Sequence, residues 1–214
     1  MKQKASVQIT APNIRTAVFK IVGTAPLVIH RFSAKAKNRM LEKIRSGTDR
    51  KAGKKQFEAT DTDDTFNQAR YISPAGWDGF NVSAIRCALI DACRLVNFKM
   101  TLAKLSVFTE ADGRDKAEPE FGLVRIYGKA RKLEMVARVE TGQAYMTVRP
   151  IYDEWSAKVR VSFDADQFSL GDVTNLLARA GAQVGIGEGR PYSKNSAGMG
   201  WGTFRIANEN EKAD

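Results

Sequence analysis

Four segments of the chain have the hydrophobic and polar pattern of β-strands. The segment 154–163 alternates most regularly, because Trp, Ala, Val, Val and Phe at odd positions are separated by Ser, Lys, Arg and Ser. The other three segments are rich in β-branched and apolar residues and cover 16–31, 144–152 and 203–207. The acidic pair Asp153-Glu154 lies between two of these segments, and we expect it to form the turn of a hairpin.

Two longer segments have apolar residues at helical spacing. In 83–96 the apolar positions recur every three or four residues, and we expect Leu89 to be buried in the core. The segment 170–184 follows Ser169, with Asp172 three residues further on, which is close to the pattern of a capping box. Both segments are therefore predicted to be amphipathic helices.

The order of these elements is strand, helix, strand, strand, helix, strand once two long stretches are set aside as insertions. This is the order of the ferredoxin-like split βαβ pattern, an α+β fold. In that fold both helices cover one face of the sheet and the other face stays open. We expect a single ferredoxin-like (RRM-like) domain with a βαββαβ core over residues 1–214, carrying a basic insertion at about 32–80 and a β-rich insertion at about 97–143.

Strand alternation assigns positive charge to the open face of this sheet. If Phe19, Val159 and Phe204 point toward the helices, a period of two sends cations from all four strands to the other face. Solvated sheet faces often carry Lys and Arg, so the pattern fits a binding surface and an ordinary exposed face equally well. The cations concerned are Lys20, Arg149, Lys158, Arg160 and Arg205.

Positive charge is also concentrated between Arg31 and Lys55, where ten Lys or Arg residues accompany two acids. The whole chain has 34 Lys and Arg against 24 Asp and Glu, a formal net charge of +10. Such a charge favours a polyanionic partner, most often nucleic acid. We expect a short basic helix from Ser33 to about Ser46 and a mobile, Lys-rich loop after it. The candidate phosphate contacts in this segment are Arg31, Lys35, Arg39, Lys51, Lys54 and Lys55.

A glycine-rich loop, GIGEGRPYSKNSAGMGWG, joins the second predicted helix to the last strand. Dinucleotide-binding loops lie between a strand and a following helix, which is the opposite order, and the GxxxxGK[ST] motif is absent from the sequence. Two other uses of glycine remain: it permits positive φ angles, and it allows the backbone to approach a partner closely. With Arg190, Lys194 and Arg205 beside exposed N–H groups, the loop can cradle a sugar-phosphate backbone; a purely structural loop is the alternative. Its glycines are Gly185, Gly187, Gly189, Gly198, Gly200 and Gly202.

The element order and this loop resemble the repeat-associated (RAMP) superfamily of CRISPR RNA-binding proteins, and the nearest likeness is to the backbone subunits that assemble along guide RNA. Over most of the chain, the stretches PLVIHRFSAKAK, SAIRCALIDACR and GxGxGRP also resemble a bacteriophage protein family. The resemblance implies a RAMP-like domain that binds single-stranded RNA, or DNA, through the glycine loop, the open sheet face and the basic insertion. It also implies head-to-tail assembly of copies as one mode of action, and it identifies no CRISPR partner.

The aromatic residues do not indicate the usual RRM mode of binding. No pair of aromatics lies on the central strands of the open face to stack on bases. Trp77 and Trp201 lie beside glycines and are candidates for base stacking, whereas Trp155 is expected in the core.

Two other function classes stay open. Some relatives in the RAMP superfamily cut RNA without metal through a histidine, and His30 is the only histidine of this chain. Acid–base cleavage usually needs a second positioned group, for which Arg31 and Tyr192 are the candidates, so a phosphate contact or an anchoring role is the simpler interpretation of His30. The other class is a phage protein-interaction module that blocks or mimics a host RNA-guided complex.

The composition gives no indication of a cofactor, a metal site or a membrane anchor. Cys87 and Cys93 lie six apart in a predicted helix, where they cannot easily form a disulfide, and one histidine adds little to a zinc site. We interpret the acids at 61–64 as solvated charge in a polar loop. No signal peptide is apparent, and no window approaches the roughly 18 apolar residues of a membrane span. We therefore expect a nonenzymatic protein of the cytoplasm, the host cytoplasm if it is encoded by a phage.

Overall fold

The computed structural model describes residues 9–32, 34–46, 61–138, 144–193, 198–208 and 211. Within these residues the chain forms a mixed α+β structure with five α-helices and two antiparallel sheets. The first part of the chain contains β1 (Ile14–Gly23), β2 (Leu27–Val28), α1 (Ala34–Ser46), α2 (Thr62–Gln68), β3 (Tyr71–Ile72), β4 (Asp78–Asn81) and α3 (Ser83–Ala92). The second part contains α4 (Met100–Ser106), β5 (Val107–Glu110), β6 (Gly113–Arg114), β7 (Gly122–Arg125), β8 (Tyr127–Arg138), β9 (Ala144–Asp164), α5 (Leu170–Arg179) and β10 (Phe204–Ile206).

The larger sheet is built around β9, the longest strand. On one side β9 pairs with β1 and, nearer its start, with β2. On the other side it pairs with β5 and, nearer its start, with β8. β10 lies on the outer edge of β1. The order across the second half of β9 is therefore β10-β1-β9-β5, and every neighbouring pair is antiparallel.

Two helical connections cross this sheet, and each passes over one strand. The chain from β1 to β5 runs through α3, and β9 lies between those two strands; the chain from β9 to β10 runs through α5, and β1 lies between them. Leu89 of α3 and Leu177 of α5 are fully buried in the same core cluster as Val159 of β9. Both helices therefore cover one face of the sheet, as an α+β fold with an open face requires.

The helices and the last strand that the sequence predicts are largely confirmed. α3 begins at Ser83 and continues as a 3-10 turn over Cys93–Val96. The Ser169 side chain accepts the Asp172 N–H in a complete capping box at the start of α5, which continues as a π-helical turn over Ala180–Val184. α1 covers the predicted basic helix, while the loop expected after it, at 47–60, lies outside the described residues.

The predicted hairpin over 144–163 is wrong, because these residues belong to the single 21-residue strand β9. The pairing with β8 changes register between Gly128↔Trp155 and Ala130↔Tyr152, so β9 contains one extra residue at this point. Such a bulge leaves Asp153 and Glu154 exposed while Tyr152 and Trp155 both enter the core. The acidic pair interrupts the alternation without reversing the chain.

The stretches that we treated as insertions contribute to both sheets. β5 and β8, from the stretch 97–143, pair with β9 in the larger sheet. The smaller sheet has the order β3-β4-β7-β6. The expected polar loop at 61–64 is wrong, because these residues cap and begin α2: the Asp61 side chain accepts the Asp63 N–H. Asp at an N-cap and acids in the first turn favour a helix, a signal that the charge run concealed.

Candidate nucleic-acid interface

The face of the larger sheet that α3 and α5 leave uncovered carries cations from three adjacent strands. Phe19, Val159 and Phe204 are buried toward the helices, so their neighbours in β1, β9 and β10 point the other way. We call this surface the open sheet face, and its principal members are Val18, Lys20, Lys158, Arg160 and Arg205. Val18 is 63% exposed, so this face is open to solvent around Val18.

Two lysines lie opposite each other on the two central strands of the open sheet face. Lys20 of β1 is in register with Lys158 of β9, and like charges in directly opposite positions repel. The Lys20 Nζ donates a hydrogen bond of 2.8 Å to the backbone oxygen of Glu211, and the Lys158 side chain is exposed. An anion bound between the two lysines would remove this repulsion.

The two arginines of the open sheet face have acidic partners that strand alternation did not reveal. Arg160 forms an ion pair with Asp112, and its Nε lies 3.8 Å from Glu110. Arg205 donates to both carboxylate oxygens of Glu211, at 2.9 and 2.5 Å. The acids come from β5, from the turn after it and from the segment after β10. A phosphate on this face therefore competes with carboxylates of the protein itself.

Arg149 does not reach the open sheet face, so the expectation of one cation from each strand is wrong for this residue. Its side chain is only 11% exposed, and its Nε donates to Glu188 Oε2 at 2.8 Å. A bridge between Val28 and Glu188 brings the glycine loop against this part of the sheet. Thr147 and Ile151, on either side of Arg149, are also buried. Long-range packing has thus enclosed a stretch that the alternation marked as exposed.

The basic segment is only partly described, and its first cation is not on the surface. Arg31 is buried, with its Nε 3.3 Å from Asp115 Oδ2 and an Nη 3.9 Å from Glu118 Oε2. Its charge is therefore balanced inside the protein. Lys35 and Arg39 belong to α1, but their side chains are outside the described part of the chain. Four further candidates lie entirely outside the described residues, namely Lys51, Lys54, Lys55 and Lys194.

The glycines of the loop serve its internal packing. All six have positive φ, between 66° and 78°. A Cβ at Gly202 would lie 1.8 Å from the oxygen of Ile186, and one at Gly198 would lie 1.9 Å from the oxygen of Arg190. Only Gly200, among the six, would place its Cβ in open space. The structural role that the sequence left open therefore accounts for most of these glycines.

Several backbone N–H groups of the glycine loop are already used inside the protein. Ile186 N–H donates to Gly202 O at 3.0 Å, and Glu188 N–H donates to Val28 O at 2.9 Å. Gly202 N–H donates in turn to a carbonyl between β1 and β2, and the Arg190 guanidinium donates to Gly187 O at 3.1 Å. These groups cannot at the same time cradle a phosphate, which reduces the contribution expected from the loop.

His30 lines a pocket of about 340 Å³ between the glycine loop, β3, β4 and the start of α3. Its Nδ1 lies 3.4 Å from Glu188 Oε2, the same oxygen that accepts the Arg149 hydrogen bond. Burial lowers the pKa of His30; Arg149 lowers it further, and Glu188 opposes the shift. Glu188 is the second positioned group beside His30 that sequence reasoning missed, because it lies far away in the chain, within the GIGEGRP stretch.

A larger groove, of about 1160 Å³, extends from the edge of the open sheet face toward the smaller sheet. Lys20 and Glu211 line it at the sheet, and Trp77 and Lys129 line it elsewhere. Arg125 stacks on the ring of Tyr127 in the same groove, with 4.9 Å between its Cζ and the ring centroid. Trp77 therefore lies where a base could stack, near cations, whereas Trp155 is a core residue as expected.

No protein-family model matches this chain, and no curated protein matches its sequence. The likeness to the RAMP superfamily and to phage proteins therefore stays a prediction from the sequence pattern. Among the described residues, no helix has both the length and the apolar character needed to cross a membrane. In the same part of the chain, no group of three or more His, Cys, Asp or Glu side chains is placed to hold a metal ion.

Proposed function

We propose that this protein binds single-stranded nucleic acid and does not cleave it; the resemblance to RNA-binding proteins favours RNA over DNA as the target. The observation that carries the proposal is the Lys20-Lys158 pair. These two positive charges lie directly opposite each other on the central strands of the open sheet face. Like charges in register cost stability, and a bound polyanion offsets that cost. Arg160 and Arg205 lie next to this pair and add phosphate donors on β9 and β10, where a phosphate would compete with their carboxylate partners.

We further propose that the larger sheet, with α3 and α5, is a ferredoxin-like domain of the RAMP type. The order β10-β1-β9-β5 supports this, as do the two helical crossovers that each pass over one strand. The glycine loop between α5 and β10 occupies the position that the RAMP likeness implies. By this likeness, copies assemble head to tail along a strand, and the number of protein molecules bound should increase with RNA length.

The groove beside the open sheet face gives the proposal a second contact region. Trp77 and Tyr127 offer aromatic surfaces, and Lys20, Arg125 and Lys129 offer positive charge. Four acids among the described residues also line the groove, so a phosphate would bind beside the cations and away from these carboxylates: Asp78, Asp153, Glu154 and Glu211. Single-stranded nucleic acid is held by this combination of base stacking and phosphate attraction. Duplex DNA, whose bases are already stacked with each other, gains only the electrostatic part.

The experiment compares the wild type with a Lys20→Gln/Lys158→Gln variant in fluorescence-anisotropy titrations of single-stranded RNA, single-stranded DNA and duplex DNA. The charge-matched control is Lys99→Gln/Lys116→Gln, at exposed positions outside the open sheet face. We expect the first variant to bind RNA about tenfold more weakly or worse. The slope of log K against log salt should become shallower by about 1.4, because each of two lost phosphate contacts on a single strand contributes about 0.7. The control should keep the wild-type slope.

Two results would contradict the proposal. One is binding to all three nucleic acids that is micromolar or weaker at about 50 mM salt, where a single-strand binder should be strongest. The other is an equal loss in both double variants, which would indicate net charge alone. Capture of a protein partner that survives nuclease treatment, together with weak binding to free nucleic acid, would instead support the protein-interaction module.

A metal-independent RNA endonuclease is the second candidate, favoured by the proximity of Glu188 to His30. A carboxylate beside a histidine is a common arrangement in acid–base catalysis. The pKa of His30 is lowered from that of an ordinary histidine. A cleavage rate that requires neutral His30 would therefore rise with pH around this lowered pKa. Our leading proposal predicts no product from single-stranded RNA in the presence of a metal chelator. Product formed by the wild type but not by His30→Ala or Glu188→Gln would favour the endonuclease.

A further inference from the structure

The segment after β10 places a carboxylate group on the open sheet face. The Oε2 and Oε1 atoms of Glu211 accept hydrogen bonds from two guanidinium nitrogens of Arg205, at 2.9 and 2.5 Å. The Oε2 atom also accepts the backbone N–H of Asn208 at 2.9 Å. The backbone oxygen of the same glutamate accepts the Lys20 hydrogen bond at 2.8 Å. One residue therefore holds together cations of β10 and β1.

These contacts have the geometry of an anion site. A guanidinium group that donates through two nitrogens and a backbone N–H group are donors that proteins use for phosphate oxygens as well as for carboxylates. The hydrogen bonds from Arg205, followed by the one from Asn208 N–H, lower the pKa of Glu211 to about 2. The carboxylate is therefore ionised at neutral pH and acts as the anion that this site requires.

The position of the site connects it with the proposed nucleic-acid surface. Lys20 contacts Glu211 on one side and lies opposite Lys158 on the other. Lys20 and Glu211 also line the end of the groove that contains Trp77 and Tyr127. A strand whose bases lie along this groove would therefore pass beside Glu211 and Lys20.

We propose that the Glu211 carboxylate occupies a phosphate site of the nucleic-acid surface, formed by Arg205 and the Asn208 N–H beside the Lys20-Lys158 pair. The Glu211 carboxylate then competes with the strand and must leave the site before a phosphate enters. This inference rests on the proposed function, because it takes single-stranded RNA as the competitor. The apparent affinity is reduced by the fraction of molecules in which the site is free.

The test compares wild type, Glu211→Gln and Glu120→Gln in anisotropy titrations with one single-stranded RNA. Glu120 is exposed in the turn between β6 and β7, so its substitution makes the same change of charge away from the site. If the carboxylate occupies the site about nine-tenths of the time, Glu211→Gln should bind RNA about tenfold more tightly. The dependence of log K on log salt should also become steeper by about 0.7, as one more phosphate contact requires. Glu120→Gln should match the wild type in both respects.

Arg205→Gln provides the internal check, since it removes the main donor of the site. Combined with Glu211→Gln, it should abolish the gain in affinity, so that the two substitutions are strongly non-additive. If wild type and Glu211→Gln bind RNA equally, or if Glu120→Gln gains as much, the competition is overturned while RNA binding stands. If neither wild type nor Glu211→Gln binds single-stranded RNA or DNA, the proposed function fails and the phosphate site fails with it. Clear binding by the wild type together with about tenfold tighter binding by Glu211→Gln would support both.

Discussion

Gly200 and Gly202 have the same kind of backbone conformation in very different surroundings. Both have positive φ, 78° and 66°, which side chains adopt only with strain. Around Gly200 there is open space, whereas a Cβ at Gly202 would lie 1.8 Å from the backbone oxygen of Ile186. The glycine pattern in the sequence could predict the conformation at both positions, but only the folded chain distinguishes a turn from a close backbone approach.

This difference predicts unequal effects of two alanine substitutions on stability. Gly200→Ala should lower the free energy of unfolding by about 1–2 kcal/mol, the cost of a left-handed residue with a Cβ. Gly202→Ala should lower it by about 3 kcal/mol or more, because the clash with Ile186 O adds to the same backbone strain. Urea unfolding of both variants measures the difference. Equal losses would mean that the loop relaxes around the added methyl group, against the packing described above.

The candidate site also divides at the residue scale into what alternation predicts and what it does not. Lys20 and Lys158 lie on the open face as a period of two requires, because the buried Phe19 and Val159 fix the phase of their strands. Glu188 and Glu211 could not be predicted as partners of His30 and Arg205. Glu188 approaches His30 from a distant part of the chain, and Glu211 reaches Arg205 because the chain folds back within six residues after β10. Neither contact is contained in a period-two or helical pattern.

At the scale of elements, β9 shows why a local interruption is ambiguous. Asp153 and Glu154 break an apolar pattern, and a turn and a bulge leave the same trace in sequence. In the fold, β8 pairs with β9 on both sides of the bulge and β2 supports the opposite edge at Tyr152, so the backbone hydrogen bonds favour one continuous strand. The helix α5 was predictable because it combines an apolar stripe with a capping box at its start, and α3 was predictable from its apolar stripe, since its N-cap residue Val82 makes no side-chain hydrogen bond.

At the scale of the whole molecule, a buried ion cluster connects the strand region before α1 with the smaller sheet. Arg31 lies beside Asp115 and Glu118, and its backbone N–H donates to Ala69 O at 2.9 Å. The Asp115 carboxylate also accepts the backbone N–H groups of Ile72 and Glu118. A residue that the charge pattern marked as a nucleic-acid contact thus takes part in holding the two sheets together.

We expect Asp115→Ala to lower the free energy of unfolding by about 3–5 kcal/mol, the usual cost of removing one partner of a buried ion pair. The Arg31 guanidinium would then keep only the more distant carboxylate of Glu118. The control is Asp153→Ala, which removes the carboxylate of an exposed ion pair with Arg131 and should change stability little. Thermal and urea unfolding of both variants give the comparison. A mild effect of Asp115→Ala would indicate that water readily replaces the carboxylate.

The sequence by itself determined the α+β composition, the positions of α1, α3, α5 and β10, and the cations of β1 and β10 on the open sheet face. These features depend on periodicity and capping, which act over a few residues, so the chain encodes them locally. Only the tertiary structure decided that β9 is continuous, that Arg31 and Arg149 are enclosed, and that Glu211 lies on Arg205. The enclosure of the two arginines and the continuity of β9 depend on contacts between separate parts of the chain, where packing and charge pairing override the local pattern. The contact of Glu211 with Arg205, six residues away, depends on how the chain folds back after β10, which no periodic pattern indicates.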